Sequence, residues 1–336
     1  MIARFWIVPS ISTFLLMVIV AIVVWVVYVT QRYLRIIIKV FINAEIERNP
    51  DDYSELGGEK VSFTSTDGVH LAGRLIAADG GPRGKPTVVF CHEWGSDKSS
   101  ASRFALWLVE RGFNLFAFDF RRHGESGDNG NHYVPRHWVT SKEVMDLQGA
   151  VRYLVSRPDV DPERIGVFGL SRGASTAIVA AAATPAIRAV VSDSAFSTRL
   201  TLQHYMRRWV SIYVYAEIVY RNLPNWIYRA MGWLAVKSAQ VRLRVRFPSV
   251  SKAAGSLRAP VLFIHGRADS KISYRQAHTL YRLASEPKEI WIVHDARHNE
   301  AIRVAGPEYR RRVGDFLASH LGAPRPVTSP APGPKS

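Results

Sequence analysis

The chain is nearly without cysteine and poor in acids. Cys91 is its one cysteine in 336 residues, so no disulfide framework holds it and stability has to come from a packed core. Asp and Glu number 28 against 44 Lys and Arg, a formal charge of +16. A disordered or acidic, solvating chain is excluded by that balance together with 47% hydrophobic residues and nine Trp. No internal repeat is present. No charged residue occurs between Phe5 and Gln31 either.

That uncharged run is long enough to span a bilayer, at 1.5 Å per residue and about 20 apolar residues per crossing. Trp6, Trp25 and Tyr28 lie near its ends, where amphipathic rings favour the interface. The run is too long for a signal-peptide core, and no small-x-small cleavage site follows it. Residues 1–42 therefore read as an uncleaved N-terminal transmembrane helix with a juxtamembrane extension. Arg32, Arg35 and Lys39 against Arg4 and the terminal amine place the remaining chain weakly on the cytoplasmic side.

Residues 43–60 are polar and read as a linker. Val61–Ser65 and Val69–Ala77 alternate around Thr66-Asp67-Gly68, a hairpin signal. Continuous apolar strand-like runs follow at 87–91, 115–119, 165–170, 189–194, 261–265 and 289–293. They alternate with helical periodicity at 100–111, 142–156, 172–183, 274–284 and 300–321. This is the pattern of a mostly parallel sheet covered by helices on both faces. The domain spans residues 61–321, interrupted at about 195–257 by a helical cap insertion. The Pro-rich tail 322–336 reads as disordered.

The chemistry concentrates at strand ends. Gly169-Leu170-Ser171-Arg172-Gly173 follows a strand and opens a helix, the setting a strained nucleophile elbow requires. A serine hydroxyl needs a base, and the base an orienting acid. Asp269, after the strand ending at His265, and His298, after the strand ending at Val293, follow in that order. His294 abuts the last strand too closely to reach across, which leaves His298 as the base. An oxyanion needs two N–H donors. The backbones of Arg172 and of Trp94, in the loop after the third strand, are positioned to supply them. The residue types imply no metal and no organic cofactor.

Together these residues resemble the α/β-hydrolase family from about Val61 to Leu321. His92-Glu93-Trp94-Gly95 is similar to its H-G-x-G oxyanion loop, and Asp119 to Ser126 to its D-x-R-G-H-G-x-S segment. The resemblance implies a triad of Ser171, Asp269 and His298, with Trp94 and Arg172 as oxyanion donors. The anchored layout resembles the Bem46/serine-aminopeptidase-like group. Three positions depart from the pattern. Glu93 stands for Gly and is expected to pair with Arg121 or Arg122. Arg122 also stands for Gly. Arg172 replaces an uncharged residue, as in thioesterase-like relatives.

Between Arg199 and Arg258 lie eleven Lys and Arg and a single acid, Glu217. Tyr205, Trp209, Ile212 and Ala216 recur at helical spacing there, as do Trp226, Ala230, Met231 and Leu234. Such stripes pack a cap on a core; alternatively they form a lid over an acyl chain, resting on anionic lipid. The absence of any reader motif argues against nucleic acid. The expected activity is serine esterase chemistry on a small-molecule or lipid-like acyl substrate. Thioester or peptide cleavage on the same site, and a non-catalytic membrane-tethered binding protein, are the alternatives.

Overall fold

A computed structural model describes residues 11–42, 53–130, 133–213 and 224–322. Helix α1 covers Ile11–Ile42. The strands are β1 (Glu59–Thr64), β2 (His70–Ile76), β3 (Thr87–Cys91), β4 (Asn114–Phe118), β5 (Ile165–Leu170), β6 (Ile187–Asp193), β7 (Val261–Gly266) and β8 (Lys288–Val293). Between them run the helices α2 (Ala101–Phe104), α3 (Trp107–Glu110), α4 (Ser141–Ser156), α5 (Arg172–Ala181), α6 (Thr198–Tyr213), α7 (Asn225–Leu243), α8 (Val250–Ser256) and α9 (Arg275–Leu283). The last two helices are α10 (Ala301–Val304) and α11 (Gly306–Leu321).

The strands form one sheet in the order β1-β2-β4-β3-β5-β6-β7-β8. Strand β2 is antiparallel to both neighbours, and every pairing from β4 through β8 is parallel. Successive strand residues face opposite sides, which is why the central strands are apolar throughout. Val89, Phe116, Phe118 and Phe263 face a core shared with Leu147, Val151, Ala174 and Ile178. Val88, Phe90, Phe168 and Ile264 face a second core with Tyr309, Val313 and Leu317. Cys91 is buried in the first core, and burial raises its thiol pKa.

The expected strands are found within a residue or two of their predicted bounds. β1 begins at Glu59, so the linker is shorter than expected; residues 43–52 lie outside the described residues. The expected helix over 100–111 is broken into a 3-10 turn and two short helices, and Leu106 N–H bonds back to Ala101 O at 2.8 Å. The expected helix over 300–321 breaks before Gly306-Pro307, where proline lacks the N–H that would continue it. All but the first residue of the tail 322–336 lies outside the described residues.

Contacts divide the chain into two units, Met1–Ala44 with Met206–Arg244, and Glu45–Tyr205 with Val245–Ser336. The second holds the sheet. The middle of the expected insertion therefore groups with the N-terminal helix, against which α7 packs. The expected packing stripe on α7 is corrected. Trp226, Ala230 and Leu234 are exposed, while Tyr228, Gly232, Ala235 and Ala239 are buried. Small residues at that spacing let two helix backbones approach.

Among the described residues no helix is long and apolar enough to cross a membrane, so the expected transmembrane span is not found there. The described apolar side chains from Ile11 to Tyr28 are nonetheless exposed.

Candidate active site

Ser171 sits at the turn from β5 into α5 with φ +50°, a left-handed conformation that costs a side-chain-bearing residue about 1–3 kcal/mol. The turn is tight because two glycines allow it. A Cβ on Gly169 would come within 2.5 Å of Gly173 backbone, and one on Gly173 would collide with the carbonyls of Cys91 and His92. Ser171 N–H donates to Asp193 O at 2.8 Å, tying the elbow to the end of β6.

The three residues expected at strand ends meet here. Ser171 Oγ lies 2.9 Å from His298 Nε2, and His298 Nδ1 lies 2.6 Å from Asp269 Oδ2. Asp269 Oδ1 accepts from the N–H groups of Lys271 and Ile272 at 2.9 and 2.8 Å. Burial alone would raise the Asp269 pKa, but hydrogen bonds from His265 and His298 hold it well below the usual carboxylate range. The acid therefore stays anionic and fixes the His298 tautomer with Nδ1 protonated and Nε2 facing the serine. His294 is mostly exposed and pairs only with Asp295 among the described residues.

Two parts of this arrangement are not apparent from sequence. Buried His265 places Nε2 3.1 Å from Asp269 Oδ2 and 3.0 Å from Ile272 O, bracing the acid from its own strand. Gly266 faces the loop that carries His298, and a Cβ there would collide with Ala296 O. The i,i+4 pair His265 and Asp269 around a strand-ending turn was the available signal.

The oxyanion candidates are also near the elbow. Neither Trp94 N–H nor Arg172 N–H has a hydrogen-bond partner among the described residues. His92 stands beneath this loop as a neutral ring. Its Nδ1–H donates to Glu93 O at 2.8 Å and its Nε2 accepts from Phe120 N–H at 3.2 Å. Burial and the nearby Arg172 charge lower its pKa to about 3.

The expected partners of Glu93 are corrected. Arg121 is taken by Asp146, 2.6 Å away, and by Asp67 at 2.7 Å, while Arg122 pairs with Asp128. Glu93 instead accepts from Tyr53 OH at 3.0 Å and Ser100 Oγ at 3.2 Å. Tyr53 precedes β1 and is far away in sequence. Arg122 carries φ +61° at the position where the resemblance expects glycine.

Ser171 and His298 open onto a cavity of about 1000 Å³ with Trp94, Trp138, Phe196 and Ile272 among its walls. No cluster of metal-ligating side chains occurs among the described residues. The arrangement supplies a nucleophile, a base with its orienting acid, two N–H donors without a partner among the described residues, and a cavity walled by aromatic and charged side chains.

Residues 99–324 match the prolyl oligopeptidase family. The chain is 29% identical to the protein YfhR of Escherichia coli over 277 residues, 81% of this chain and 84% of that one. It is 32% identical over 143 residues to the thiohydrolase aneE of Aspergillus aculeatus, 42% of each chain. Among solved structures it is similar to an esterase of Pyrococcus furiosus, with a TM-score of 0.60 and 25% identity over 82% of this chain and 97% of the esterase. The α/β-hydrolase fold expected from sequence is thus found.

Proposed function

This chain belongs to the prolyl oligopeptidase family, and on that footing we propose that it is a serine hydrolase acting on esters through Ser171, His298 and Asp269. The observation that carries the reading is the unbroken hydrogen-bond chain from Ser171 through His298 to Asp269, opening on the cavity. Ser171 Oγ attacks the substrate carbonyl carbon as its proton passes to His298 Nε2. The carbonyl oxygen takes up the negative charge between Trp94 N–H and Arg172 N–H. The tetrahedral adduct collapses, the carbon–oxygen bond to the alcohol breaks, and His298 returns the proton to that alcohol. Water, activated by His298, then attacks the acyl-serine and releases the acid.

An ester substrate is supported by the likeness to the Pyrococcus esterase. A thioester is the second reading, supported by the likeness to the fungal thiohydrolase; only the leaving atom differs. Treating the detergent-solubilised chain with a fluorophosphonate probe and reading intact mass tests both. The wild type gains one adduct and Ser171→Ala gains none, with turnover reduced by at least about 10³. A folded wild type that takes no label overturns the hydrolase reading and leaves a non-catalytic binding protein.

The reading includes attachment to a membrane, as in the Bem46-like layout. It is supported by the exposed apolar side chains of α1, and by Trp226 and Trp233 exposed on α7 beside Arg229 and Lys237. Interfacial aromatic and basic residues at such spacing favour an anionic lipid surface. The full chain co-sediments with anionic liposomes and less so with neutral ones; equal or no co-sedimentation with both would overturn this part.

A further inference from the structure

The side chain of Arg172 has no role in the mechanism above, which uses only its backbone N–H. It is fully buried. Burying a guanidinium costs several kcal/mol unless carboxylates meet its charge with good geometry. Arg121 shows what such compensation looks like here. Its Nε and Nη2 reach Asp146 Oδ1 at 2.9 and 2.6 Å, and its Nη groups also reach Asp67.

Arg172 is compensated much less. Nη1 donates to Arg136 O at 3.0 Å, and Nη2 lies 3.2 Å from His123 Nε2. Nε has no partner. Its ion-pair carboxylate, Glu143 Oε1, is 3.8 Å from Nη1, beyond hydrogen-bond distance. That carboxylate is already occupied by Tyr133 OH at 2.6 Å, Thr140 Oγ1 at 2.6 Å and Thr140 N–H at 2.9 Å. The neighbouring rings His92, His123 and His137 all have lowered pKa values, through burial and then the Arg172 charge, so none is positioned to compete as a cation.

The guanidinium contacts aromatic faces instead. Its central carbon lies 5.0 Å from the Trp94 ring centre and 5.3 Å from that of Phe120. Desolvation makes such a contact stronger than the same contact at an exposed site. Trp94 is the residue whose N–H faces the site from the other side of the elbow. One side chain thus grips both candidate donors. Its own backbone supplies one, and its charge holds the ring of the other.

We propose that Arg172 is a positioning residue for the oxyanion hole, its buried guanidinium clamping the Trp94 loop to the nucleophile elbow and leaving positive charge beside the developing oxyanion. This rests on the serine-hydrolase reading. A clamp of this kind acts on the transition state, where negative charge appears on oxygen, and leaves ground-state binding of a neutral ester almost untouched.

The test uses the full chain in detergent with p-nitrophenyl butyrate as substrate and phenylboronic acid, which forms a tetrahedral anion on the serine, as inhibitor. Arg172→Met lowers kcat by about 10² with KM within about threefold, given that loss of an oxyanion donor costs about 10²–10³. Boronate affinity falls by a similar factor. Arg172→Lys, which keeps a cation facing the indole, recovers to within about tenfold of wild type. An Arg172→Met protein with kcat within twofold of wild type overturns the proposal. So does a Lys variant no better than Met, because shape alone would then be what matters. Should Arg172→Met fail to fold, Trp94→Phe against Trp94→Leu carries the test. The aliphatic chain lowers kcat and boronate affinity at least about tenfold further than the phenyl ring does, while equal values for the two overturn the clamp. An unlabelled, inactive wild type overturns the underlying hydrolase reading, whereas an active wild type with an unaffected Met variant overturns only this inference.

Discussion

Acidification tests the buried histidines around the elbow. Burial, then the Arg172 charge, lowers the pKa of His92 from 6.5 to about 3 and of His137 from 6.5 to about 4. In the unfolded chain each takes its proton near pH 6.5, while in the folded protein each stays neutral to much lower pH. The unfolded state then binds more protons as pH falls. Stability is full above about pH 6.5 and is lost on the way down towards the folded values. At pH 5 each such histidine costs at most about 2 kcal/mol, at 1.36 kcal/mol per pH unit below 6.5. His137→Phe isolates one contribution. The half-buried ring lies 4.7 Å from Trp138 and 6.0 Å from Trp94, contacts a phenyl ring retains. For a domain of this size 2 kcal/mol corresponds to about 4–8 °C in Tm. Between pH 7 and pH 5, wild-type Tm therefore drops about 4–8 °C further than that of His137→Phe, followed by scanning calorimetry. Parallel Tm–pH lines for the two proteins would refute the argument.

Two substitutions probe the acid and the backbone that delivers the base. Asp269→Asn preserves shape but places an amide against His298 Nδ1–H and His265 Nε2–H, so kcat/KM should fall by about 10³–10⁴. Activity within tenfold of wild type would show that another group orients the base. Gly266→Ala drives a methyl into Ala296 O and displaces the loop bearing His298. Fluorophosphonate labelling should slow by about 10² or more, as about 1 Å of misplacement does in general. Unchanged labelling would mean that the loop position is set elsewhere.

The triad is legible in the sequence because chemistry and strand ends coincide. Each of Ser171, Asp269 and His298 follows a short apolar run, and parallel strands deliver their following loops to one edge of a sheet. The apolar runs themselves are legible because both faces of the central strands are buried, which needs no knowledge of the neighbours. Alternation likewise locates the β1–β2 hairpin without tertiary information. What sequence does not reveal is where a side chain turns once the backbone is placed. Glu93 looked as though it needed a nearby arginine, yet Tyr53 and Ser100 hold it, and Tyr53 comes from a segment before the sheet begins. The stripe of Trp226, Ala230 and Leu234 has helical spacing, but small residues one step around α7 make the packing face.

The same limit explains why glycines matter more here than the motif containing them suggests. G-x-S-x-G identifies Gly169 and Gly173 by pattern, and the structure gives each a physical task, since a methyl at either would strike backbone. Gly266 has an equivalent task at the loop carrying His298 but belongs to no such motif. Close backbone approach leaves no trace in local periodicity, because it depends on a segment about thirty residues further along the chain. Nucleophile and base are therefore brought to 2.9 Å by backbones in contact at Gly173 and Gly266, while the side chains of His265 and Asp269 fix only the final orientation. Activity in this protein should accordingly be more sensitive to a methyl at Gly266 than its distance from the reacting carbonyl would suggest.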